Sequence, residues 1–81
     1  MDDRTLLARI QELVDEEHQL RGRFAAGQLS ADEEHARLGA LEEALDQCWD
    51  LLRRRRAARN VGGDPDAVQP RPTGEVEGYL Q

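Results

Sequence analysis

Cysteine is almost missing from this chain. Cys48 is the only one in 81 residues, which excludes an intramolecular disulfide and a cysteine-rich zinc site together. Lysine is absent altogether: all eleven basic residues are arginine, a bias expected from genome base composition, and no function is drawn from it. No run of about eighteen apolar residues occurs, and the opening Met1-Asp2-Asp3-Arg4 has no basic stretch leading into an apolar one. A soluble, cytoplasmic protein without a membrane partner is the expectation. Excess positive charge is lacking too. Eleven basic against seventeen acidic residues leave a net charge of −6, which argues against sequence-independent nucleic-acid binding by the whole surface. The length permits one domain at most.

What is present is a pair of apolar stripes at helical spacing. Leu6, Ile10, Leu13, Leu20 and Phe24 form the first, and Leu38, Leu41, Leu45, Cys48 and Leu52 the second. Between them lies one turn signal, Gly27-Gln28-Leu29-Ser30. Gly27 suits the left-handed position just past a helix end. Ser30 followed by Glu33 is a capping box, and Asp32 adds favourable charge at the same helix start. The spacing predicts helices over residues 3–26 and 31–59, each roughly 35 to 42 Å long. A short connection makes them antiparallel neighbours. One register pairs Leu20 with Leu38, Leu13 with Leu45, Ile10 with Cys48 and Leu6 with Leu52. It leaves Glu17 opposite Leu41, and Phe24 opposite Glu34, as its polar exceptions. Glu17 is expected to reach solvent along its flexible stem, with a role in fixing register as the other reading. The fold class expected is all-α: a coiled-coil-like, antiparallel two-helix hairpin, with dimerisation into a four-helix bundle as a further step.

A hairpin buries only a thin seam, and small folds of this kind usually depend on oligomerisation or a partner surface. Here the apolar surface exceeds one seam. Leu7 and Val14 flank the first stripe; Ala44, Trp49 and Leu51 flank the second. Leu6, Leu7, Trp49, Leu51 and Leu52 fall at nearly one level near the open end, a patch that a lone hairpin leaves wet. Together with Val14 they form the expected association surface. A second copy is the leading occupant, another protein or the chain's own tail the alternatives. That tail, residues 60–81, begins with Gly62-Gly63 and contains Pro65, Pro70 and Pro72, so no long helix is expected there. Its final residues regain apolar character at Val76, Tyr79 and Leu80. Tyr79 and Leu80 are candidate anchors, in cis or to a partner.

Candidates for chemistry are few. Asp-Glu-Glu-His occurs twice, at Asp15–His18 and Asp32–His35, and a carboxylate with a histidine three residues on can ligate a metal from one helix face. The Glu-x-x-His of ferritin-like di-iron bundles differs in its first residue, and the register sets the two copies apart along the hairpin, so solvated helix faces are expected. Cys48 lies on the apolar stripe and reads as a small hydrophobe; Ser30 reads as a cap. No catalytic residue, metal or cofactor is assigned. A chorismate-mutase-like enzyme needs a third helix. The acidic turn Asp32-Glu33-Glu34 resembles the tip of coiled-coil fingers that enter RNA polymerase's secondary channel, without their extra globular domain. Charge is segmented: residues 27–52 hold seven acids against Arg37 alone, and Arg53, Arg54, Arg55, Arg56 and Arg59 follow directly. These five suit phosphate contacts, which makes RNA or ribonucleoprotein binding the alternative function; a solvated end complementing the helix dipole is favoured over it.

The opening Asp2-Asp3-Arg4-Thr5-Leu6-Leu7, the turn Gly27 to His35, the run Leu45 to Arg53 and the end Val76 to Gln81 together resemble a family of short bacterial proteins known as a domain of unknown function. The resemblance spans nearly the whole chain and implies no activity, cofactor or catalytic residue. The segment Ala26 to Glu34 by itself is similar to helical hairpins at the ends of many bacterial proteins, a folding motif. The function expected is therefore a non-enzymatic protein-interaction or adaptor role.

Overall fold

The computed structural model describes residues 2–72 and consists of two long helices and one short 3-10 turn. Helix α1 covers Asp3–Ala25 and α2 covers Ala31–Asn60. Asp2 caps α1 by accepting the Thr5 N–H at 2.8 Å. At the start of α2 the Ser30 hydroxyl accepts the Glu33 N–H at 3.1 Å, and the Glu33 carboxylate accepts the Ser30 N–H at 3.2 Å, so the capping box is complete.

Both helices stop by the same device. Past α1, the Gly27 N–H donates to Phe24 O and the Gln28 N–H to Arg23 O; past α2, the Gly62 N–H donates to Arg59 O and the Gly63 N–H to Ala58 O. This is the Schellman pattern, which needs a left-handed residue at the penultimate position, and Gly27 and Gly62 supply it at φ 75° and 77°. The first reversal folds α2 back on α1. The second folds the tail back on α2.

The helices pack as an antiparallel hairpin, and its seam holds Leu6, Ile10, Leu13, Leu20, Leu51 and Leu52, with Leu6, Leu13 and Leu52 fully enclosed. Val14, Leu45, Cys48 and, from the tail, Val68 pack against the cluster of Leu6, Ile10, Leu51 and Leu52. Two features of the seam differ from expectation. Phe24, at the last turn of α1, is 40% exposed. Leu29, from the turn itself, is buried instead and closes that end. Glu17 is half-buried and accepts two hydrogen bonds from Arg21 one turn along its own helix, at 2.9 and 3.2 Å.

The tail is ordered by local caps before it meets anything else. Asp64 accepts the Asp66 N–H at 2.9 Å, Pro65 opens a 3-10 turn over Pro65–Ala67, and the Val68 N–H donates to Pro65 O. From there to Pro72 the backbone runs antiparallel to α2, toward the hairpin turn. Tyr79 and Leu80 lie outside the described residues.

Enclosure sets the expected cost of truncation. Leu52→Ala should lower unfolding free energy by about 2–5 kcal/mol and Phe24→Ala by under about 1 kcal/mol, measured by urea unfolding; equal losses would contradict this seam.

Candidate functional site

The arginine run at the end of α2 separates into residues that hold the fold and residues that do not. Arg55 is 4% exposed, which corrects the expectation of a wholly solvated cluster. Its Nε donates to Asp3 Oδ1 at 2.7 Å, and its Nη1 donates to Pro65 O at 3.0 Å and Asp66 Oδ1 at 3.1 Å. Arg59 Nη2 donates to the second Asp3 oxygen at 2.6 Å. Arg54 Nη1 donates to Gln69 O at 2.6 Å. Arg53 and Arg56 are exposed. A guanidinium is suited to such a junction, since its planar array of donors serves several acceptors at once.

Further along the tail, Gln47 Nε2 donates to Arg71 O at 2.9 Å. Asp50 is 5% exposed, and its Oδ2 makes ion-pair approaches to Arg71 Nε at 3.5 Å and Arg54 Nη1 at 3.7 Å without a hydrogen bond. Two guanidinium groups thus stand beside this buried carboxyl.

The tail corrects part of the expected association surface. Leu6, Leu51 and Leu52 are interior, because the helix seam and Val68 cover them. Val14 is half-buried. Leu7 and Trp49 remain 44% and 42% exposed. Helical periodicity places Leu7 and Val14 on one flank of α1, two turns apart, and the antiparallel packing brings Trp49 to the same face of the hairpin. The tail lies on the opposite face, where Ala44, Gln47 and Leu51 flank the seam.

That opposite face also carries a groove of about 470 Å³ between the helices. Leu13, Leu20, Ala40, Leu41 and Ala44 line it, with Arg9, Arg23 and Arg37 among the charged residues around them and Glu16 beside them.

Asp15, His18, Asp32 and His35 are all exposed. Asp15 accepts a hydrogen bond from Gln11 at 3.0 Å. Among the described residues no three His, Cys, Asp or Glu side chains cluster in a way that could hold a metal ion, and no helix is long and apolar enough to cross a membrane. Burial raises the Cys48 thiol above its ordinary range, which disfavours the reactive thiolate.

Hydrogen bonds from Arg59 and Arg55 lower the Asp3 carboxyl to about 2. Its contribution to stability is complete above the unfolded value of 3.8 and disappears as pH falls through about 2. Thermal unfolding across pH 5 to 2 should therefore show an acid-induced loss that is smaller in Asp3→Asn, as that variant has no carboxylate to protonate. An identical acid slope in the two proteins would contradict the role given to Asp3.

Uncharacterised proteins of Mycobacterium bovis and of Mycobacterium tuberculosis strains CDC 1551 and H37Rv are each 51% identical to the chain over 77 residues, covering 95% of this chain and 88% of each relative. No solved structure matches. The profile of the protein family of unknown function DUF2630 matches residues 2–81, and the chain belongs to that family.

Proposed function

We propose that this protein is a non-enzymatic interaction module whose working surface is the face bearing Leu7, Val14 and Trp49, and that its partner is a second copy of the chain. The observation that carries the reading is the exposure of Leu7 and Trp49, 44% and 42%, on the face away from the tail. The described tail packs Val68 against the cluster holding Leu51, on the other side of the seam. Exposed apolar side chains grouped on one face mark an association surface.

Charge on the same flank of α2 favours self-association. Glu42 and Asp46 precede Trp49 by seven and three residues, and Arg53 and Arg56 follow it by four and seven, so the row is acidic on one side of Trp49 and basic on the other. A two-fold axis near Trp49, with the two rows antiparallel, sets the acidic half of one copy against the basic half of the other. Such self-complementarity is what an isologous interface requires. The resulting assembly is a four-helix bundle.

RNA contact through the arginine run has less support. Of its five members, Arg54, Arg55 and Arg59 already donate to groups within the chain, which leaves Arg53 and Arg56.

Sedimentation equilibrium at micromolar concentration should give a dimer with blue-shifted Trp49 emission, and the Leu7→Ser/Trp49→Ser double variant should sediment as a monomer that keeps its helical circular dichroism. A wild-type chain that stays monomeric with solvent-like Trp49 emission would overturn self-association.

A further inference from the structure

We infer that the groove between the helices on the tail-bearing face binds an unbranched acyl carboxylate, with the chain laid on the leucines and the acid group held by Arg23 and Arg37. The site shares no residue with the association surface proposed above and does not rest on it.

The groove exists because α2 carries small side chains where the flank of a seam needs large ones. Ala40 and Ala44, one helical turn apart, stand on the flank that Gln47 and Leu51 continue toward the end of α2. Beside Gln47 and Leu51 the tail occupies the space, with Gln47 bonded to Arg71 O and Val68 packed on the cluster that holds Leu51. Beside Ala40 and Ala44 a groove of about 470 Å³ remains among the described residues, and Leu13, Leu20 and Leu41 line it as well. That volume lies within the roughly 300–1,000 Å³ of small-molecule sites, which are mostly apolar with a few placed polar groups. Because the groove follows two antiparallel helices it is elongated: from Leu13 to Leu20 its floor runs about 10 Å at 1.5 Å per residue. A linear chain can follow such a floor along its whole length.

Charge gives the ligand its direction. The chain as a whole carries −6, yet Arg9, Arg23 and Arg37 line the groove against Glu16. Arg9 already pairs with Glu12 at 3.2 Å. Arg23, in the last turn of α1, and Arg37, in the second turn of α2, stand at the end next to the hairpin bend, and neither makes an ion pair among the described residues. The Glu33 carboxyl, held below its ordinary range first by its hydrogen bonds with Ser30, is also lowered by Arg37 and Arg23, so both guanidiniums act around one point. Glu16 lies on α1 about 10 Å back from Arg23, toward the open end, where it disfavours an acid group. A carboxylate therefore meets two cations at the bend and apolar carbon along the rest. Guanidinium groups select it over an uncharged head through charge-assisted hydrogen bonds.

The test is methyl NMR of the full chain titrated with decanoate below its micelle concentration. Saturable shifts are expected at the Leu13, Leu20, Leu41, Ala40 and Ala44 methyls, with decanoate bound about tenfold tighter than the uncharged decanol. Affinity should rise about two- to fourfold for each methylene from hexanoate to decanoate. Arg23→Gln/Arg37→Gln should erase the preference for decanoate over decanol while the helical circular dichroism persists. Ala40→Leu/Ala44→Leu should abolish binding of both by filling the floor. Decanoate should bind Leu7→Ser/Trp49→Ser as it binds the wild type, which separates this site from self-association. Equal binding of decanoate and decanol to the wild type, or a preference that survives Arg23→Gln/Arg37→Gln, would overturn the carboxylate reading. The groove itself would be overturned by an absence of saturable shifts at its methyls or by loss of binding in Leu7→Ser/Trp49→Ser. Nuclear Overhauser contacts to Ala40 and Ala44 from another segment or a second copy, not displaced by decanoate, would overturn it too.

Discussion

The structure turns on one buried guanidinium. Arg55 touches the start of α1 through Asp3 and the tail through Pro65 and Asp66, while standing on α2. A charge taken out of water without partners is costly, so the three segments must meet there together. The ion pair also fixes the seam. Asp3 faces Arg55 in the register that sets Leu6 against Leu52, and a slip of one turn would put Arg55 beside Leu7 with no carboxylate. Apolar side chains at helical spacing tolerate such slips better than a buried charge does. The helix dipoles act in the same sense, with Asp3 in the first turn of α1 and the arginines toward the C-terminal end of α2.

Much of the hairpin is legible in the amino-acid order because its causes are local. Leucines at helical spacing, Gly27 at a left-handed position and Ser30 with Glu33 three residues on each leave a mark within a few residues of themselves. The tail's own turn is marked by Gly62, Asp64 and Pro65, but its packing on α2 is not. Its partners on α2 bind the carbonyl oxygens of Pro65, Gln69 and Arg71, and a backbone oxygen has no residue signature. Arg55 was hidden for another reason. In Arg53-Arg54-Arg55-Arg56 the side chains point around the whole helix, and only their position relative to Asp3 singles one out. That signal was available: extending the Leu6–Leu52 pairing by one turn meets Asp3 and Arg55. Phe24 fits the stripe by spacing alone, and the register already sets it against the polar Glu34; it is 40% exposed.

Covering one face of the hairpin changes where function can reside. Leu51 and Leu52 look like association residues in the chain's order, and the described structure encloses them with Leu6 and Val68. What remains outside is a narrower face, Leu7 and Trp49 with Val14 beneath, set in a row whose charge reverses at Trp49. On the other side the arginine-bordered groove continues the path of the tail. The two faces therefore differ in kind: one presents exposed apolar side chains between opposite charges, the other a groove lined by Leu13, Leu20, Ala40, Leu41 and Ala44 with arginines around it. Neither holds a cluster of three His, Cys, Asp or Glu side chains among the described residues.

Native-state hydrogen exchange on the Ala67 and Val68 amides tests the guanidinium junction most directly. These amides donate to Asp64 O and Pro65 O within the tail turn. They should be protected in the wild type and lose that protection in Arg55→Met, while the Leu13 and Leu20 amides stay protected in both. Exchange at Ala67 and Val68 as fast as in an unfolded chain, or protection unchanged by Arg55→Met, would contradict the account.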